Sequence, residues 1–122
     1  MNRLNWSSWQ SMPDPKCYGK SLAVVLQKFV HNHNQPGVYQ LRNSKTAEFI
    51  LFGIGVNLAR RMGSLLPKEH GGVGKRRNFR KRDYVWDHLP NIEFRTICCN
   101  TRLEAQLIEK EIKNYNIHIF NT

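Results

Sequence analysis

QPGVYQLRNSKTAEFILFGIGVNLARRM, residues 35–62, is the stretch on which the reading of the fold turns. Within it, "GVYQLR" and "AEFILFG" are rich in β-branched and aromatic residues, and the polar "NSKT" between them reads as a turn. Together they predict an antiparallel hairpin. Its second strand runs out on Gly53 and Gly55, and Asn57, a residue type suited to a helix N-cap, follows. Leu58, Met62, Leu65 and Leu66 then fall on one stripe, so a helix is expected until Pro67 stops it. Strand, turn, strand and helix thus occupy fewer than half of the residues, and the helix carries Arg60 and Arg61 just past the glycines.

Upstream, "KSLAVVLQKFVH" from Lys20 to about His31 suits a helix, with Leu22, Val25, Leu26 and Phe29 at spacings of three and four. Met1 to Tyr18 reads as an irregular arm, because Pro13 and Pro15 break regular structure while Trp6 and Trp9 provide apolar anchors. Downstream, Lys68 to Pro90 is polar and glycine-containing and reads as a basic loop. "NIEFRTICC" is a third strand, and "TRLE" from Thr101 to Glu104 is a capping box that opens a last helix, expected to run to about Asn114. The order implies the α+β class: a small antiparallel three-stranded sheet flanked by helices, with an N-terminal arm and an extra helix over 1–35 and a core over 36–122.

The 122 residues carry 19 Lys and Arg against 9 Asp and Glu, a formal charge of +10. A surplus of that size in one compact domain points to a polyanion, because clustered cations displace condensed counterions from phosphate chains. Nucleic acid is the first candidate. A membrane is disfavoured, since "LAVVL" and "FILFGIGV" fall well short of the roughly 20 residues needed to span a bilayer. "MNRLNWSSWQ" lacks the apolar segment of a secretory signal, and three cysteines, two of them adjacent, make no disulfide framework or metal ribbon. An intracellular, cytoplasmic setting beside nucleic acid is the corresponding expectation.

Two nucleotide motifs are excluded by single positions. Leu58 stands where a dinucleotide fingerprint needs a small residue. "GGVGKRR" has Glu69 and Arg76 where a P-loop needs glycine and a hydroxyl. "KRRNFRKR" offers Lys75, Arg76, Arg77, Arg80, Lys81 and Arg82 with Phe79 among them, cations for phosphates and a ring for a base or sugar, against the plainer reading of a solvated basic run. Chemistry needs more than charge. Arg61 projects beside Leu58 and Leu65, and Glu109 lies on the edge of the last helix's apolar stripe between Ala105 and Ile112, positions that suit either a cleft or a boundary salt bridge. Glu104 and Glu111 are rival ligands on the same helix.

Taken together, these pieces resemble the GIY-YIG nucleases. "PGVYQL" is similar to the first signature, with Gly37, Val38 and Tyr39. "LFGIGVNLARRM" is similar to the second signature and its helix, with Gly53 as the glycine and Arg61 at the arginine position. "LEAQLIEKEI" places Glu109 at the metal-ligand position, and "HIFN" places Asn121 at the closing asparagine. The resemblance spans Pro36 to Asn121 and implies a metal-dependent DNA endonuclease. Tyr39 would act as general base or position the water, Arg61 would bind the scissile phosphate, Glu109 would hold Mg²⁺ or Mn²⁺, and Asn121 would orient the site. A tyrosine, whose phenol ordinarily titrates near pH ~10, needs neighbouring cations or the metal to serve as a base. A single carboxylate suits magnesium, whose other positions go to water and phosphate. A homodimer would supply the second site needed to cut both strands. The sequence departs from the pattern at Leu51, where the second tyrosine would stand, at Leu65 and at Ile54. Tyr84, His70 or His88 could fold back into one of these places. The alternative is a non-catalytic nucleic-acid-binding protein on the same core; a third is an RNA-associated basic protein of another fold.

Overall fold

The computed structural model describes residues 4–30, 34–66 and 79–121. Over these residues the chain forms strands β1 (Gln10–Ser11), β2 (Gly37–Asn43), β3 (Phe49–Gly55), β4 (Ile92–Cys98) and β5 (His118–Phe120). It also forms helices α1 (Leu22–Leu26), α2 (Leu58–Gly63), α3 (Phe79–Asp87) and α4 (Arg102–Tyr115).

The expected hairpin is the centre of the sheet. β2 and β3 pair antiparallel with Tyr39 opposite Gly53 and Gly37 opposite Gly55, and β4 pairs antiparallel along the other edge of β2. The sheet is wider than the three strands expected, with five strands in the order β1-β4-β2-β3-β5. The arm does not stay irregular, because Gln10 and Ser11 pair antiparallel with Phe94 and Glu93 of β4. The tail adds β5 parallel to β3, which makes the sheet mixed. Both added strands cover edges whose amides would otherwise need water.

Alternation divides the core into two layers. Tyr39, Leu41, Leu51 and Phe94 face α1, α2 and α3, in one cluster with Leu22, Leu26, Leu58, Met62 and Val85. Val38, Phe52 and Ile97 face the other way, onto Ala105 and Ile112 of α4. Period-two strands force this division, since neighbours in sequence point to opposite faces. A helix therefore covers each face of the sheet.

The helix ends follow their caps. Asn57 Oδ1 accepts from the Arg60 amide at 3.1 Å and starts α2. Thr101 Oγ1 accepts from the Glu104 amide at 3.1 Å and starts α4. Asn116, at φ 52°, ends α4 in the left-handed conformation, which asparagine tolerates. Three expectations need correction. The second helix ends at Gly63, short of Pro67. The first helix is short, Leu22 to Leu26, and gives way to turns although Phe29 continues the periodicity. Within the segment expected to be a loop, Phe79 to Asp87 is helical, followed by a 3-10 turn at Leu89–Asn91. Arg and Lys are good helix formers, and Val85 and Leu89 give that segment a buried anchor.

Candidate functional site

The two glycines of β3 make room for the two residues singled out in the sequence. A Cβ on Gly53 would lie 2.5 Å from the Tyr39 hydroxyl oxygen and 2.7 Å from its Cζ, so the phenol lies across the glycine. A Cβ on Gly55 would lie 2.8 Å from Cβ of Arg61. Gly53 and Gly55 are alternate residues of one strand and share a face. Tyr39 and Arg61 are therefore neighbours on the α2 side of the sheet, each seated where a side chain is missing.

Arg61 has a polar surplus. Its Nη1 is buried and has no hydrogen-bond partner among the described residues. A buried charged donor left unpaired is costly, and such an atom marks a place where a ligand oxygen would be stabilised. Lys81, half-buried in α3, lies within electrostatic reach of both Arg61 and Glu109. Burial lowers the ammonium pKa, Arg61 lowers it further, and Glu109 opposes the shift. The structure thus brings Arg61, Lys81 and Glu109 from three helices into one electrostatic neighbourhood. Sequence reading placed Lys81 in the basic run alone; its link to Arg61 and Glu109 is tertiary and had no local signal.

Asn121 is tied to α4. Its Nδ2 donates to the Lys113 carbonyl at 3.0 Å, one turn beyond Glu109. The same residue meets His118, the end of a polar relay through the sheet. Arg95 Nε donates to Gln40 Oε1 at 2.7 Å, which fixes the orientation of the Gln40 amide. Its nitrogen must then donate to His118 Nε2, at 2.9 Å, so the imidazole proton sits on Nδ1, a buried atom with no hydrogen-bond partner among the described residues, as is Oδ1 of nearby Asn121. Burial, with help from Arg95, pushes the His118 pKa down to about 4 against the opposing pull of Asn121, which leaves the ring neutral at physiological pH. Both polar residues sit at buried strand positions, Gln40 at 3% and His118 at 7% exposure.

The departures from the signature have physical occupants. Leu51 is fully buried between Leu41 and Phe120, and Leu65 is equally buried. Tyr84 does not replace the missing phenol, because its hydroxyl accepts from Asn43 Nδ2 at 3.3 Å, at the far end of β2 from Gly37. His88 lies against Tyr84, with ring centroids 4.3 Å apart and the planes tilted by 36°. His70 lies outside the described residues, as do Lys75, Arg76 and Arg77. Of the rest of the basic run, Phe79 begins α3, Arg80 is exposed, and Arg82 is buried at 7% exposure. Of the rival carboxylates, Glu104 hydrogen-bonds the Cys99 thiol, and burial together with that carboxylate pushes the thiol pKa up to about 11. Glu111 is half-buried on α4.

Among the described residues, no three His, Cys, Asp or Glu side chains gather into a metal cage, and no helix is long and apolar enough to cross a membrane. Comparison with protein-family models, with curated proteins and with solved structures gives no match to this chain.

Proposed function

We propose that the protein is a divalent-metal-dependent DNA endonuclease of the GIY-YIG type, acting through Tyr39, Arg61 and Glu109. The observation that carries this reading is the orphaned, buried Nη1 of Arg61, whose side chain packs on Gly55 two residues from the Gly53 seat of Tyr39, with Lys81 within reach of the charges of both Arg61 and Glu109. A cluster with two cations, one phenol and one carboxylate matches what phosphodiester hydrolysis asks for: charge to meet the phosphate, a proton acceptor, and an anchor for a metal. The donor set fits magnesium, which is commonly held by one or two carboxylates with water and substrate oxygens completing the shell.

Each residue then has a task. Arg61 donates Nη1 to a non-bridging oxygen of the scissile phosphate and stabilises the charge that grows there during attack. Lys81 adds a second positive charge at the same phosphate. Tyr39, held against Gly53, would take the proton of the attacking water as its phenolate, a form that nearby cations and a bound metal favour, or orient that water as the neutral phenol. Glu109 would hold the metal, which when bound neutralises phosphate charge and eases departure of the leaving oxygen. Asn121 is a positioning residue: its bond to the Lys113 carbonyl fixes the turn of α4 that follows Glu109. Arg80, exposed on α3, extends the positive surface for backbone phosphates, a contact that gives affinity without reading sequence.

The test is conversion of supercoiled plasmid at low salt with Mg²⁺ or Mn²⁺. Wild-type protein is expected to produce nicked or linear DNA, EDTA to stop it, and Glu109→Ala to abolish it. Salt-sensitive retardation of the plasmid by both proteins, without cutting on any substrate, would replace this reading with that of a binding protein on the same core.

A further inference from the structure

The face of the sheet opposite Tyr39 and Arg61 carries a concavity of about 170 Å³, lined by Trp6, Gln40, Phe49, Arg95, Tyr115 and Ile117 among others. That is below the roughly 300 Å³ of pockets that enclose drug-sized molecules, and suits a single ring system. Its charge is out of balance. Arg95 and Arg42 both lie over the Trp9 ring, with guanidinium carbons 4.5 and 4.1 Å from its centroid, and Arg95 also lies 4.4 Å from the centroid of Trp6. The nearby carboxylate, Glu93, is taken by Arg42 at 2.8 Å. Arg95 spends its Nε on the neutral Gln40 and has no acidic partner among the described residues. Burial and the Arg42 charge both weigh against its cation. An anion arriving here would relieve that repulsion, and Tyr115, 45% exposed at the rim, supplies an aromatic face beside it.

We infer that this pocket is a nucleotide subsite, taking one aromatic base against Tyr115 and Trp6 with its phosphate on the Arg95 guanidinium. Guanidinium and aromatic planes together are the chemistry that holds unpaired nucleotides. The Gln40 oxygen and amide nitrogen each already hold a protein partner, so the pocket stacks any base in preference to reading its edge. This gives the N-terminal arm a role: β1 fastens to β4 and brings Trp6 and Trp9 onto Arg95. The subsite lies on the α4 face of the sheet, across from Tyr39 and Arg61, and its test reads binding rather than cleavage, so the two proposals fail separately.

The experiment is tryptophan fluorescence of the full chain in EDTA at low salt, run unmodified and with Trp86→Phe so that Trp6 and Trp9 alone report. Thymidine 5′-monophosphate is expected to quench saturably, with thymidine and inorganic phosphate each about tenfold weaker or worse. Tyr115→Ala is expected to weaken the nucleotide about tenfold, the loss typical of one stacking platform. Arg95→Lys, which keeps the charge and loses the planar fork, should weaken it as well, and thermal melts check that both variants are folded. Tighter quenching by oligothymidylate than by the monomer would assign the subsite to a strand, and equal quenching to a free nucleotide. Saturable quenching by phosphate alone with the midpoint of the nucleotide, no saturable quenching by either thymidylate, or indifference of the folded variants would overturn the inference.

Discussion

Replacing His118 with glutamine should remove a specific part of the protein's acid sensitivity. The imidazole is 7% exposed and accepts from Gln40, and its pKa falls from 6.5 to about 4, chiefly because burial disfavours the charged ring. Above pH 6.5 the ring is neutral in both folded and unfolded chains, so its contribution to stability is fully present. As the pH falls through that value the unfolded chain takes up a proton that the folded chain refuses until about pH 4. A lowered pKa therefore means stability lost on acidification, about 3 kcal/mol between neutrality and pH 4 at about 1.4 kcal/mol per unit. For a chain of this size that corresponds to roughly 10 °C in melting temperature. Glutamine can still accept from Gln40 but cannot titrate. Urea or thermal melts of both proteins from pH 7.5 to 4 are the assay, since carboxylates common to both cancel in the difference. Wild type should lose stability more steeply than His118→Gln, and the His118 ring protons should titrate near pH 4 by NMR. Parallel stability curves, or a ring titrating near 6.5, would refute a buried, neutral His118.

Other consequences are local. Gly53→Ala should cost about 1–3 kcal/mol and suppress plasmid nicking, because the new methyl meets the Tyr39 hydroxyl at 2.5 Å while the ring, 2% exposed, has little room to give; denaturation and the plasmid assay read the two effects. Leu51→Tyr, which writes the signature tyrosine back, should also cost about 1–3 kcal/mol and leave nicking no faster, since Leu51 is fully enclosed in the core. Thr101→Ala should cost about 1 kcal/mol by urea denaturation, through loss of the cap on the Glu104 amide.

What the sequence disclosed follows the length of each element. β2, β3 and β4, each seven residues long, left a record in their β-branched and aromatic content. α4 left one in its cap at Thr101. β1 and β5, of two and three residues, are too short to register and exist because an edge was available for pairing. α3 hid behind its charge: Arg80, Lys81 and Arg82 read as a solvated loop, while Tyr84, Val85 and Leu89 gave the segment a side to bury. Within the site, Arg61 was legible from its place beside Leu58 and Leu65 on the helix, and Tyr39 only through the resemblance of "GVY" to a nuclease signature. Lys81, Gln40 and His118 were not, because their partners lie on other elements and only the assembled sheet brings them together.

The most direct test of the proposed site compares plasmid nicking in Mg²⁺ by wild type, Tyr39→Phe and Arg61→Ala, with DNA retention at matched salt measured in parallel. Arg61→Ala is expected to slow nicking by about 10²–10³-fold as a stabilising donor is lost, and Tyr39→Phe by about 10²-fold or more as the proton acceptor is lost. Both variants should remain folded and still retard DNA. Nicking that persists at the wild-type rate in either folded variant would contradict a phosphodiesterase site built on Tyr39 and Arg61.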